Sequence, residues 1–370
     1  MTWVHPPTSP VPAARRDPDT LNPLVAGRAV VELSLLDLAP IPAGGSATEA
    51  FERTVERARH AEDHGYARIW VAEHHDFPDA VASTSPEALI PHVAAYTDDI
   101  RVGSGTVLLN HYSPYKVAET FCVLDALAPG RIDLGVGRAT GNPMRDRALQ
   151  VDRSSRYLGG DHRAKIDEVA RHLHDGFDDD HPFAGLDLPR SRETVPELWV
   201  HGSSESSAEI AGELGLRYCF AAFIRPQWAV DAVEAYREHF QPSEIGAGLD
   251  EPRATIAANV TCAPTDEEAA RLRATTEARH RRLRRGELDG PPLESVEAAV
   301  DELGGVPEPT TLPLEPGAWP RAVSGSPETV REIFEEMADQ TGAVGVVVQN
   351  QFSDFDDELR SHELVAGAFD

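Results

Sequence analysis

From residue 29 onward, short apolar runs alternate with segments whose apolar residues recur every three or four positions. "AVVELSLLDLA" (29–39) reads as a strand. "SATEAFERTVERARHAEDHG" (46–65) reads as an amphipathic helix, with Ser46 as N-cap, Glu49 completing a capping box and Gly65 at its stop. The alternation predicts strands at 67–73, 100–108, 131–137, 197–201, 217–223, 253–262 and 343–349. Between them it predicts helices at 85–97, 113–128, around 160–175, 204–215, 226–240, 265–285 and 326–341. Strands with near-continuous apolar character belong to parallel sheets covered on both faces, and eight of them favour a closed (β/α)8 TIM barrel over an open doubly wound sheet.

Two stretches break the rhythm. Residues 138–160 are rich in arginine and glycine, and residues 286–325 hold seven prolines. Both follow strands, so both are expected as insertions over the C-terminal face of the barrel, where they are candidate lids. Six prolines in the first 23 residues make 1–28 read as a disordered arm, leaving 29–370 as one barrel domain.

Composition adds exclusions. The chain carries 62 acidic against 34 basic residues, a net charge of −28, and only Lys116 and Lys165 are lysine. Such a surface disfavours nucleic acid and anionic membrane as partners, because phosphates need cationic faces. The near absence of lysine reads as halophilic adaptation to a salt-rich cytosol, with an acidic mesophilic enzyme as the alternative. Cys122, Cys219 and Cys262 lack the spacing of a metal site or a redox dithiol, and read as buried free thiols. No signal peptide and no run of about 18 apolar residues is evident, so the expected compartment is cytoplasmic.

In a barrel the strand ends share one cavity, and polar residues recur at those ends. The second strand runs into "VAEHHDFP", with Glu73, His74 and His75. Adjacent histidines on extended chain point to opposite faces, which argues against a metal pair, and no metal is expected. One imidazole is expected in the cavity as a proton donor or acceptor, with Glu73 to fix its tautomer. "GVGRATG" (135–141) lacks the dinucleotide spacing; instead Gly137 would admit a flat ligand and Arg138 would offer a planar cation to a phosphate or carboxylate. In "GSSESS" (202–207), Gly202, Ser203, Ser204 and Ser207 stand where a helix N-terminus and several hydroxyls form an anion site. One N-cap accounts for one of these serines. "SGSPETV" (324–330) reads as an ordinary capped helix start.

"LSLLDLAPIP", "HAEDHGYARIWVAEHHDF", "IRVGSGTVLLNHYSPYKVAETFCVLDALAPGRIDLGVGRATG", "WVHGSSESSAEIAGELGL" and "SGSPETV" together resemble the bacterial-luciferase-like flavin monooxygenases, in the luciferase-like or alkanal-monooxygenase-like subgroup. The resemblance implies a barrel that binds reduced FMN at its C-terminal end. It implies that His74 lines the flavin and substrate cavity, and that Arg138, Ser204 and Ser207 hold the flavin phosphate. It also implies O2 chemistry through a peroxyflavin on an aldehyde-like or similar small substrate, with reduced flavin delivered by diffusion from a separate reductase. A homo-oligomer is compatible with this reading. The alternatives are a deazaflavin-dependent two-electron oxidoreductase of the same barrel superfamily and a non-catalytic flavin-binding member.

Overall fold

The computed structural model describes residues 31–138, 143–150, 161–191, 193–243, 245–246, 248–287 and 295–369. The expected arm at 1–28 and most of the first candidate lid lie outside the described residues.

In chain order the elements are β1 (Glu32–Asp37), α1 (Ala47–Asp63), β2 (Arg68–Val71), α2 (Pro86–Ala94), β3 (Arg101–Ser104), β4 (Val107–Leu108), α3 (Pro114–Leu127), β5 (Ile132–Gly137), α4 (Pro143–Leu149) and α5 (His162–His174). They continue with β6 (Glu197–Gly202), α6 (Glu205–Glu213), β7 (Arg217–Ala221), α7 (Ala229–Glu238), β8 (Ala254–Cys262), α8 (Asp266–Arg284), α9 (Val296–Leu303), β9 (Ala322–Gly325), α10 (Pro327–Thr341), β10 (Gly345–Gln349) and α11 (Phe355–Gly367). All strand pairs between these elements are parallel, in the order β1-β2-β3-β5-β6-β7-β8-β10, and β10 pairs back to β1. The ring is an eight-stranded parallel barrel of the TIM type. The eight expected strands form it, β3 and β4 being one expected strand interrupted at Gly105–Thr106. A short extra strand, β9, pairs with the outer end of β8.

The sequence explains these elements locally. Strands β5 and β8 are buried at every position, which is why they read as near-continuous apolar runs with few polar residues. In α1 the buried residues Ala50, Thr54, Arg57, Ala58 and Ala61 follow helical spacing, and the Ser46 side chain accepts from Glu49 N–H. The Glu49 carboxylate turns to Arg53 at 2.8 Å, so the expected reciprocal box is only half formed.

Side chains inside the barrel form layers. At the floor, buried Asp133 accepts from Arg68 Nη1 at 2.8 Å, Arg101 Nε at 2.7 Å and Trp70 Nε1 at 2.9 Å. Glu32 pairs with Arg68 at 3.0 Å and Arg253 at 2.8 Å. Burial opposes the charge on Glu197, yet Arg101, Arg68 and Arg217 push its carboxyl down to about 2. Above this network Trp70 meets Trp199 edge-on at 5.0 Å, and Cys219, Ala257 and Val347 fill the remaining space. The barrel is therefore closed below, and chemistry is confined to the upper mouth.

Candidate active site

β2 ends at Val71, and the chain then folds into a loop that places Glu73, His74 and His75 at the mouth. The loop is tied back on itself: His74 N–H donates to Ser83 O at 2.9 Å, and Ser83 Oγ donates to Ala72 O at 2.5 Å. Glu73 is buried, and its carboxylate accepts from three groups: His75 Nε2 at 2.8 Å, Tyr112 Oη at 2.7 Å and Leu108 N–H at 2.8 Å. Glu73 was expected to orient His74. It is instead committed to His75 and to the segment beginning at β4, because that is where its buried charge finds donors.

His74 is left with a buried Nδ1 that has no hydrogen-bond partner among the described residues. Its ring meets Phe77 edge-on at 6.3 Å. Burial, then the positive charge of Arg279, pushes the imidazole down to about 4; His75 and Arg145 act in the same direction and Glu73 against them. The ring is neutral at pH 7, with one donor and one acceptor nitrogen.

α4, which follows β5, closes over this loop. Arg145 lies 4.5 Å from the Phe77 ring centroid and 3.4 Å from Asp76 Oδ2. Asp146 is buried and sits 3.6 Å from His111 Nε2. From α5, Lys165 Nζ donates to the carbonyls of Leu109, Asn110 and Tyr112. Tyr112 and Arg145 were not singled out in the sequence, and Lys165 only as one of two lysines; none carries a local signal of its place at the mouth.

The second group lies elsewhere on the rim. The β5–β6 register runs from Asp133↔Glu197 to Val136↔Val200, and its continuation by two residues sets Arg138 opposite Gly202. Arg138 is exposed and makes no ion pair or hydrogen bond among the described residues. Its charge is felt by His162, which burial first and Arg138 second push down to about 4, and whose buried Nδ1 has no partner among the described residues.

α6 begins at the same place. Ser204 and Ser207 form a reciprocal capping box, Ser207 Oγ donates to Ser204 O at 2.6 Å, and Tyr218 Oη lies 3.1 Å from Ser207 Oγ. A Cβ on Gly202 would fall 2.0 Å from Ser207 Oγ, so glycine here makes room for the serine. Ser203 is half-buried and its hydroxyl makes no hydrogen bond among the described residues. Capping thus accounts for two of the serines, where the sequence reading assigned it one.

Gly137 also differs from expectation. A Cβ there would lie 2.9 Å from Thr106 Cγ2 and 3.2 Å from His201 O, so the space it frees is taken by neighbouring strands rather than held open for a flat ligand. His201 itself lies against Trp70 at 4.5 Å and is pushed down to about 3, by burial and then by Arg68. No group of three or more His, Cys, Asp or Glu able to hold a metal occurs among the described residues. No described helix is long and apolar enough to cross a membrane.

The model of the luciferase-like monooxygenase family matches residues 31–344. The luciferase-like monooxygenase of Escherichia coli K12 is 36% identical over 343 residues, covering 90% of this chain and 96% of that protein. The solved apo structure of MsnO8 is 40% identical, with a TM-score of 0.79, covering 92% of this chain and 98% of the other. The oxygenating constituent of 3,6-diketocamphane monooxygenase from Pseudomonas putida, solved with FMN, shares the fold at 23% identity and a TM-score of 0.66, covering 91% and 97%.

Proposed function

We propose, from the premise that this chain belongs to the luciferase-like monooxygenase family, an oxidoreductase family, that it holds reduced FMN across the barrel mouth and uses O2 to oxygenate a small organic substrate beside His74. The observation that carries the cofactor assignment is the Arg138 guanidinium, which is exposed and has no protein anion among the described residues. It stands by register beside the start of α6, whose first amides are available to an anion. A phosphate there would meet a planar cation, helix N–H groups and the Ser203 hydroxyl. The Ser204 and Ser207 hydroxyls would take part only by giving up capping bonds.

Bound reduced FMN would supply the electrons for activating O2. The chain's own work is positioning, exclusion of water and proton handling. Glu73, clamped to Leu108 and Tyr112, fixes the loop that carries His74. Neutral His74 can donate from one nitrogen and accept at the other, which suits it to move a proton at the reacting oxygen. α4 covers the loop through Arg145 and meets His111 through Asp146, which limits solvent access. The sequence carries no dinucleotide fingerprint, so a separate reductase is the proposed source of reduced flavin, reaching this protein by diffusion. An aldehyde or a comparably oxidisable small molecule is the proposed substrate.

The test is anaerobic titration of Arg138→Ala with reduced FMN and reduced riboflavin. Loss of one charge-assisted contact to the phosphate should weaken FMN binding by about 1.5–3 kcal/mol and leave riboflavin unchanged. Equal FMN affinity in wild type and variant would remove Arg138 from the site. Stabilisation by a reduced deazaflavin but not by FMN would redirect the function to two-electron transfer without oxygen.

A further inference from the structure

A cavity of about 90 Å³ opens between the end of β1, α8 and the segment after β10. That volume has room for several water-sized groups. One wall is apolar, from Leu36, Leu38, Leu283 and Phe352. Leu36 also packs on the tryptophan layer inside the barrel, so the cavity borders the mouth.

Most charges around it are already matched. Arg57 is buried between Asp37 at 3.0 Å and Glu358 at 2.7 Å. Arg53 pairs with Glu49, and Arg282 with Glu302. Asp354 caps α11 by accepting from the amides of Asp356 and Asp357. Arg279 is the exception. It lines the cavity, is half-buried, and has no ion pair or hydrogen bond among the described residues. Glu287, the remaining carboxylate of the lining, is exposed and forms no ion pair with it. Gln351 lines the same cavity and has a buried Oε1 with no partner among the described residues; turning its amide over would present two N–H donors instead. An unpaired guanidinium drawn out of water is costly unless an anion comes to it.

The position separates this cation from the proposed phosphate site. In the ring order, β10 and β1 stand opposite β5 and β6, so the cavity that Arg279 lines lies across the ring from the end of β5, where Arg138 stands. His74 lies within electrostatic reach of Arg279.

We infer that Arg279 recognises the substrate, which carries a carboxylate that pairs with its guanidinium while the oxidisable group extends along the apolar wall toward His74. The inference rests on the monooxygenase reading for the word substrate, but the anion site is made by the protein alone. A bound carboxylate would also offset one of the charges that keep His74 neutral, so substrate arrival would make the imidazole a better proton acceptor.

The test is calorimetric titration of the flavin-free protein with hexanoate and with hexanamide, which match in size and differ in charge. Wild type should bind hexanoate roughly tenfold or more tightly than hexanamide, in keeping with a charge-assisted contact. Arg279→Gln should abolish the preference, Arg279→Lys should retain part of it, and both should bind reduced FMN as wild type does. Equal binding of the two probes by wild type overturns the inference. So does a loss of FMN affinity in Arg279→Gln, which would assign the arginine to the flavin phosphate. Failure of wild type to bind FMN while hexanoate is still preferred would fault the flavin reading and leave the anion site standing.

Discussion

His74 occupies a position where burial and two nearby arginines hold an imidazole neutral, and where its Nδ1 finds no partner within the described protein. A buried ring nitrogen without a partner is costly in a structural histidine and useful in one that meets a reacting molecule. His74→Ala should therefore keep the fold and most of the flavin affinity while slowing substrate oxidation by about 10²–10⁴-fold. More of the consumed O2 should appear as H2O2, which is read as product formed per O2. His75→Ala should be milder, because the hydrogen bond His75 makes goes to Glu73. Wild-type turnover and coupling in the His74 variant would show that the ring is structural. At this scale the sequence placed His74 correctly at a strand end but misassigned the Glu73 carboxylate. Its partners Leu108 and Tyr112 lie 35 and 39 positions away, beyond any local pattern.

At the scale of elements, α6 carries two demands on the same hydroxyls. Ser204 and Ser207 cap the helix reciprocally, and the anion proposed for that turn would meet the same helix start. Ser204→Ala should cost about 1 kcal/mol in urea unfolding of the flavin-free protein, the usual value of an N-cap. The extra stabilisation by saturating FMN should change little if the phosphate is held by the amides, Ser203 and Arg138. An unchanged unfolding free energy would contradict the capping geometry. The strands were legible because burial on both faces leaves apolar runs, and α1 was legible from its cap and spacing. α4, α9 and α11 were not. α9 and α11 are acidic helices of 8 and 13 residues, and α4 spans only 7, so their apolar faces are too brief or too broken by charge to stand out.

For the whole molecule, buried histidines set the response to acid. His201 and His362 are pushed down to about 3, and His74, His162 and His280 to about 4, burial being the leading cause in each. Between those values and the ordinary 6.5 the unfolded chain binds protons that the native protein does not. Stability is therefore full above pH 6.5 and is lost as pH falls toward 4. Glu197, held near 2 by its arginines, adds a loss in the same direction below its ordinary 4.5. Calorimetry at constant ionic strength should give a Tm that falls steadily from pH 7 to 4.5; a flat profile would mean that these rings are hydrated in the native state. The net charge of −28 and the two lysines are the composition-level ground for expecting salt adaptation.

By itself the sequence determined the alternation of eight apolar strands with helices, and the polar residues standing at their ends. Both are local properties, because burial on two faces writes itself into consecutive residues and a barrel brings its strand ends together whatever their spacing. Only the tertiary structure decided which charges are matched. Arg57 meets Glu358 across 301 positions. Arg279, one of five arginines within "ARHRRLRR", reads like its neighbours until the fold seats it in a cavity without a counter-ion among the described residues. Ion pairing depends on distances of a few ångströms between elements, and periodicity along the chain carries no record of them.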